Sequence, residues 1–115
     1  MSSDSPVSEF NKIINETNKP VFVLFGATWC SPCVNITPAF RDHSERTTDI
    51  VFIKVDIDDN RELSAHFGIN AIPHMKVFLD GKEIETVSKG MNHAKLNDTV
   101  NKYLKVAKER SSFSS

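Results

Sequence analysis

The sequence predicts an α/β fold: a central mixed sheet of four strands with helices on both faces. Three observations carry that prediction. Residues 21–25 form a continuous β-rich apolar run, which suits a strand buried on both sides. Amphipathic helical segments alternate with such short apolar runs along the chain, the order that gives parallel pairing through helical crossovers. Near the end, Asp80-Gly81 separates two short strand-like runs and signals a hairpin.

Each element has a local reason. Ser5 before Pro6 reads as an N-cap and first helical position, and Phe10, Ile13 and Ile14 follow at helical spacing. Asn18 to Pro20 ends that helix. The buried run 21–25 is the first strand, 26–29 a turn, and a helix opens near Cys30 to Pro32; Pro38 is expected to interrupt and kink it. Residues 50–56 form a second strand. Asp58 to Asn60 caps a short helix that reaches Phe67 and stops at Gly68. Residues 69–73 lead into the third strand, 75–79, and the hairpin returns through 84–87. Asn92 caps the last helix, with Leu96, Val100, Tyr103 and Leu104 on one face.

At 115 residues the chain suits one domain with one substantial core. We place it at 6–108, between a disordered N-terminal tail, 1–5, and a flexible Ser-rich C-terminal tail, 109–115. A hydrophobic share of 39% and a charged share of 25% read as globular rather than disordered. The formal net charge of −1, with no basic run, argues against nucleic acid as a partner, and no apolar stretch is long enough to span a membrane. The polar start lacks the pattern of a secretory signal, which predicts a reducing, cytoplasmic setting. The Asn-x-Thr triplets at Asn15, Asn35 and Asn97 are then chance matches.

There are two cysteines, Cys30 and Cys33. A bridge across two residues closes almost no loop, so it adds little as a staple. Two cysteines this close in a reducing compartment point to chemistry instead. Placed after a buried strand and at a helix start, Cys30 gains unsatisfied N–H groups and the helix dipole, which favour a thiolate. Residues three apart share a helix face, so Cys33 can reach the Cys30 sulfur. Pro32 has no N–H to waste in the first turn. Two inert small hydrophobes is the plainer reading of a bare C-x-x-C, and half a zinc site is another. The strand-to-helix context weighs against the first and the lack of a second C-x-x-C against the other. Asp56, Asp58 and Asp59 lack calcium-loop spacing and read as a solvated loop. His43, His66 and His93 fall at exposed or capping positions and receive no role.

The segment Phe25-Gly26-Ala27-Thr28-Trp29-Cys30-Ser31-Pro32-Cys33 resembles the active site of thioredoxins, especially the animal type. The likeness continues through Pro38, Val51-Phe52-Ile53-Lys54-Val55-Asp56, Gly68-Ile69-Asn70-Ala71-Ile72-Pro73, Asp80-Gly81-Lys82 and the Gly90 turn, roughly from Val7 to Leu104. It implies a thioredoxin fold of four or five strands, although the usual first strand is not evident ahead of Pro6. It also implies that Cys30 attacks and Cys33 resolves, and that Pro73 is a cis proline facing the disulfide. Trp29, Ile72, Pro73, Gly90 and Met91 would line an apolar docking groove, with Trp29, Ser31, Pro32, Lys54 and His74 supporting the site. Three positions depart from the family. Leu24 stands where a buried aspartate is usual, Ser31 where glycine is commonest, and His74 where threonine follows the cis proline. That aspartate is thought to assist proton transfer at the resolving thiol, and Lys54 matches its lysine partner.

The resemblance implies a protein-disulfide reductase that binds no cofactor, acts as a monomer on oxidised proteins, and draws electrons from NADPH through a flavin-containing thioredoxin reductase. Loss of the acid at Leu24 and the Ser31 exchange keep an alternative open, a binding or redox-sensing module with weak reductase activity. A glutathione-dependent glutaredoxin or iron–sulfur carrier fits the Trp-Cys-x-Pro-Cys setting less well.

Overall fold

A computed structural model of the chain describes residues 5–114, with side chains to residue 111; the tail expected at 1–5 otherwise lies outside the described residues. Helix α1 is Pro6–Glu16, strand β1 Val21–Gly26, α2 Ser31–Arg46, β2 Val51–Asp56, α3 Arg61–His66, β3 His74–Leu79, β4 Lys82–Val87 and α4 His93–Ser114. The strands form one sheet in the order β2-β1-β3-β4. β1 and β2 run parallel, while β3 is antiparallel to β1 and β4 to β3. Among the described residues the sheet has four strands, not five.

β1 lies inside the sheet and every one of its residues is buried, so its side chains divide two half-cores by parity. Phe22 and Leu24 join Ile36 and Phe40 of α2 and Leu96, Val100 and Tyr103 of α4. Val21, Val23 and Phe25 join Phe10 and Ile14 of α1, Leu63 of α3, and Phe78. The apolar run is therefore the common floor of two helical layers, and this is why it shows no alternation.

The caps follow the sequence at both outer helices. Ser5 Oγ accepts from Ser8 N–H (3.1 Å) with Pro6 in the first turn, and Asn92 Oδ1 accepts from Lys95 N–H (2.8 Å). The hairpin turns on Asp80 and Gly81, with φ of 55° and 81°, the paired left-handed geometry that this dipeptide favours. A Cβ at Gly81 would also run into Asn15 of α1.

Four local expectations change. Ile13 is exposed: the buried stripe centres on Phe10 and Ile14, and Ile13 falls a further turn angle to one side. α2 runs unbroken through Pro38, with Thr37 Oγ1 donating to Cys33 O (2.7 Å) one turn back. α3 has Asn60 at its N-cap but no side-chain cap. Asn60 Nδ2 instead donates to Asp56 O (2.9 Å), and Asp56 Oδ1 accepts from Asp58 N–H (2.8 Å) and Asp59 N–H (3.3 Å), closing the turn after β2. Finally, α4 continues to Ser114, so positions 109–114 are helical rather than tail. Arg110 pairs with Asp80 at 2.7 Å and ties that extension to the hairpin.

Candidate active site

The site stands where β1 ends and α2 begins. Gly26 closes β1, and a Cβ there would lie 3.1 Å from Cys33 Cβ and 3.2 Å from its sulfur. A glycine lets the first turn of α2 settle against the strand end. Cys30 is the N-cap of α2, in extended conformation, and its Sγ accepts from Cys33 N–H at 3.3 Å. Cys30 N–H bonds Ala27 O (3.3 Å), and Cys30 O receives Val34 N–H (3.0 Å). Ser31 and Pro32 complete the turn, exposed, and Ser31 makes no hydrogen bond through its hydroxyl among the described residues.

Cys30 and Cys33 form a disulfide with a Cα–Cα distance of 5.2 Å. Both are buried, at 8% and 4% exposure, in a small apolar cluster with Ala27, flanked by Ile57 and Ile72. The Ile72–Pro73 peptide is cis. Ile72 O lies 3.9 Å from Cys30 Sγ, which places the backbone ahead of Pro73 against the sulfur at the N-cap. Reduction would leave that sulfur beside the Cys33 amide at the positive end of a 16-residue helix, an environment that stabilises a thiolate.

The remaining expected residues divide. Trp29 stands 67% exposed over this corner, its Nε1–H donating to Asp58 Oδ2 at 2.7 Å. Gly90 and Met91 lie in the β4–α4 connection; Gly90 is exposed with φ of 71°, and Met91 packs on the α2/α4 half-core. Leu24 is 2% exposed in the same half-core. Lys54 is its register partner on β2 and therefore shares its face, with its side chain in an open cleft next to Cys33.

His74 goes elsewhere. It is the register partner of Phe25, not of Leu24, so it belongs to the opposite face of the sheet from Lys54. It is 7% exposed and meets Phe25 edge-on, with ring centroids 6.1 Å apart and neither ring nitrogen hydrogen-bonded. Burial lowers its pKa below the usual histidine value, and the Lys76 charge lowers it further against a smaller opposing effect of Glu83. Lys76, on the same face, is buried and anchored by Glu83 Oε2 (3.0 Å) and Thr86 Oγ1 (3.3 Å). The arrangement thus brings Cys30, Cys33, Trp29, Ile72 and Pro73 together, puts Lys54 beside Cys33, and sets His74 in the other half-core.

Two contributors were not singled out from the sequence. Asp58 has the sequence setting of a solvated loop, yet its carboxylate orients Trp29 across 29 positions. Gly26 has the sequence setting of a turn residue, and its close approach to Cys33 arises only from the packing of α2 on the strand end. Among the described residues, no group of three His, Cys, Asp or Glu is placed to hold a metal ion, and no helix is long and apolar enough to cross a membrane.

Comparison with known proteins agrees with this geometry. The sequence model of the thioredoxin family matches residues 4–102. The chain is 42% identical over 98 residues to thioredoxin-1 of Schizosaccharomyces pombe, covering 85% of this chain and 91% of that one. It is 37% identical over 98 residues to thioredoxin of Oryctolagus cuniculus, covering 84% and 92%. Among solved structures, Plasmodium falciparum thioredoxin superposes with a TM-score of 0.76 at 38% identity, over 84% of this chain and 92% of that one. Fasciola hepatica thioredoxin gives 0.77 at 35% identity over the same shares.

Proposed function

The chain belongs to the thioredoxin family and is a thiol–disulfide oxidoreductase; from that premise we propose that it reduces disulfides in other proteins, with Cys30 attacking and Cys33 resolving. The observation that carries the division of roles is the placement of Cys30 Sγ at the N-cap, 3.3 Å from the Cys33 amide and 3.9 Å from Ile72 O. Cys33 sits deeper, against Gly26.

In the reaction, the Cys30 thiolate attacks a substrate disulfide, forms a mixed disulfide and releases one substrate thiol. Cys33 then attacks the Cys30 sulfur, releases the second thiol and closes the Cys30–Cys33 bond. Two electrons pass to the substrate. An extended substrate segment docks against Trp29, Gly90, Met91 and the backbone of Ile72 and Pro73. Ser31 and Pro32 shape the first turn, and Lys54 acts from the Cys33 side. A flavin-containing thioredoxin reductase returns the dithiol form with electrons from NADPH; the chain itself carries no cofactor and works as a cytoplasmic monomer.

The test is reduction of insulin with thioredoxin reductase and NADPH, paired with Cys33→Ser. We expect NADPH-linked turnover for the natural chain and an accumulating mixed disulfide at Cys30 for the variant. Stoichiometric binding without turnover would favour the redox-sensing alternative. Comparable alkylation of the two reduced cysteines would overturn their roles.

A further inference from the structure

Beside Cys33 a cleft of about 290 Å³ opens between α2 and β2, with Val34, Thr37, Pro38, Arg41 and Lys54 in its walls. Its walls are mainly apolar, and Val34 is 55% exposed there. The charged side chains in the lining are Arg41 and Lys54; both are cations and no acidic residue joins them. Neither has an ion-pair or hydrogen-bond partner for its side chain among the described residues, although four other ion pairs occur there. Leu24, the strand neighbour of Lys54, adds no charge.

Apolar walls with a few polar groups at one edge are the usual make-up of a small-molecule site, and this volume lies at the small end of that class. The guanidinium fork of Arg41 suits the two oxygens of a carboxylate, with the Lys54 ammonium as a second point of charge. A bare inorganic anion would use the cations and leave Val34 and Pro38 wet. An alkyl chain of a few carbons would cover them. We propose that this cleft binds a short aliphatic carboxylate, its chain on Val34 and Pro38 and its carboxylate between Arg41 and Lys54. Because Cys33 is in the wall, the occupant shields that thiol and, as a neighbouring anion, disfavours its thiolate. The site therefore acts on Cys33 and leaves Cys30 alone. The binding claim is independent of which cysteine attacks first.

The experiment uses butyrate at constant ionic strength, with chloride and inorganic phosphate as the other arms. In nitrogen–proton correlation spectra of the oxidised chain, butyrate should give saturable shifts at Thr28, Val34 and Thr37, with a Kd of about 1–10 mM, as suits so small a ligand. In a reduced Cys30→Ser variant, saturating butyrate should slow alkylation of Cys33 about threefold, because a neighbouring anion lowers the thiolate fraction and the bound chain covers the thiol. Both effects should vanish in Arg41→Gln/Lys54→Gln, and in Val34→Asp, which sets a negative charge in the wall. All three positions are exposed, so the fold should stand. Absence of saturable shifts, equal effects from chloride or phosphate, or effects that survive in the double variant would each overturn the proposal.

Discussion

Leu24→Asp restores a carboxyl group at a position that is 2% exposed and packed among Phe22, Ile36 and Met75. Two contributions lower stability. Losing the buried leucine side chain removes about 2–3 kcal/mol at any pH. Burial in an apolar half-core raises the pKa of the new carboxyl; a rise of about 2–3 units, moderated by Lys54 next to it on β2, is worth about 3–4 kcal/mol. The second contribution depends on pH. With the folded pKa above the unfolded value of about 3.9, the native state binds the extra proton between the two. Stability therefore falls as pH rises through that window, and the deficit is complete only above the raised pKa. We expect the variant to lose about 2 kcal/mol more, relative to the natural chain, at pH 8 than at pH 5. The total at pH 8 is a large part of the stability of a domain this size. Urea unfolding of the oxidised proteins at both pH values measures it. Equal losses at pH 5 and 8 would refute the reasoning, because they would mean that the carboxyl reaches water or is fully paired with Lys54. The same variant should reduce insulin faster than the natural chain, at the expense of that stability.

Three further outcomes follow from the site and its surroundings. His74 has a lowered pKa in the folded state, so the unfolded chain binds more protons below about pH 6.5; stability should fall as pH drops through that range, and His74→Phe should flatten the slope in a pH series of thermal melts. Glu83→Ala strands the buried Lys76 ammonium with Thr86 alone and should cost about 2 kcal/mol, less than a fully buried pair because Glu83 is 38% exposed; the melting temperature should drop about 8 °C, and Lys76→Met in the same background should recover most of it. Asp58→Ala frees the indole of Trp29, the one tryptophan, so its fluorescence should shift, and kcat/KM for insulin should fall about threefold while reaction with a small disulfide is unchanged.

The parts of the fold that were legible in the sequence are those with local causes. Ser5-Pro6, Asn92 and Asp80-Gly81 act through neighbouring backbone groups, and the unbroken apolar run of β1 states that both of its faces are covered. The parts that were not legible depend on which neighbour arrives from far along the chain. Helical spacing admits Ile13 to the apolar stripe of α1, but the angle at which α1 lands on the sheet leaves it outside. The Ser-rich end of α4 is a poor helix by composition, yet it is carried on from a long packed helix and fastened by Arg110 to Asp80. At the site, the cysteine pair and its place at the start of α2 were readable. The partner of Trp29 was not, nor was the side of the sheet that receives His74. The side is decided by the β1–β3 register, which pairs His74 with Phe25 and Met75 with Leu24. A slip of one residue would exchange the two half-cores.

That register gives the departures at Leu24 and His74 a common physical reading. On the face shared with α2 and α4, Leu24 and Met75 oppose each other within an apolar half-core. On the other face stand His74, whose ring nitrogens make no hydrogen bond among the described residues, and Lys76, whose polar partners come from β4 rather than from the site. The buried charge, Lys76, is thus held by Glu83 and Thr86 of β4 and makes no contact with Cys30 or Cys33 among its hydrogen bonds. What remains to stabilise a thiolate at Cys30 is backbone: the Cys33 amide and the start of α2. Cys30 is buried where it meets the helix start, so screening there is weak, whereas the exposed cations near Cys33, Arg41 and Lys54, are screened strongly. The two sulfurs consequently answer to different fields, Cys30 to the helix that it caps and Cys33 to whatever occupies the cleft beside it.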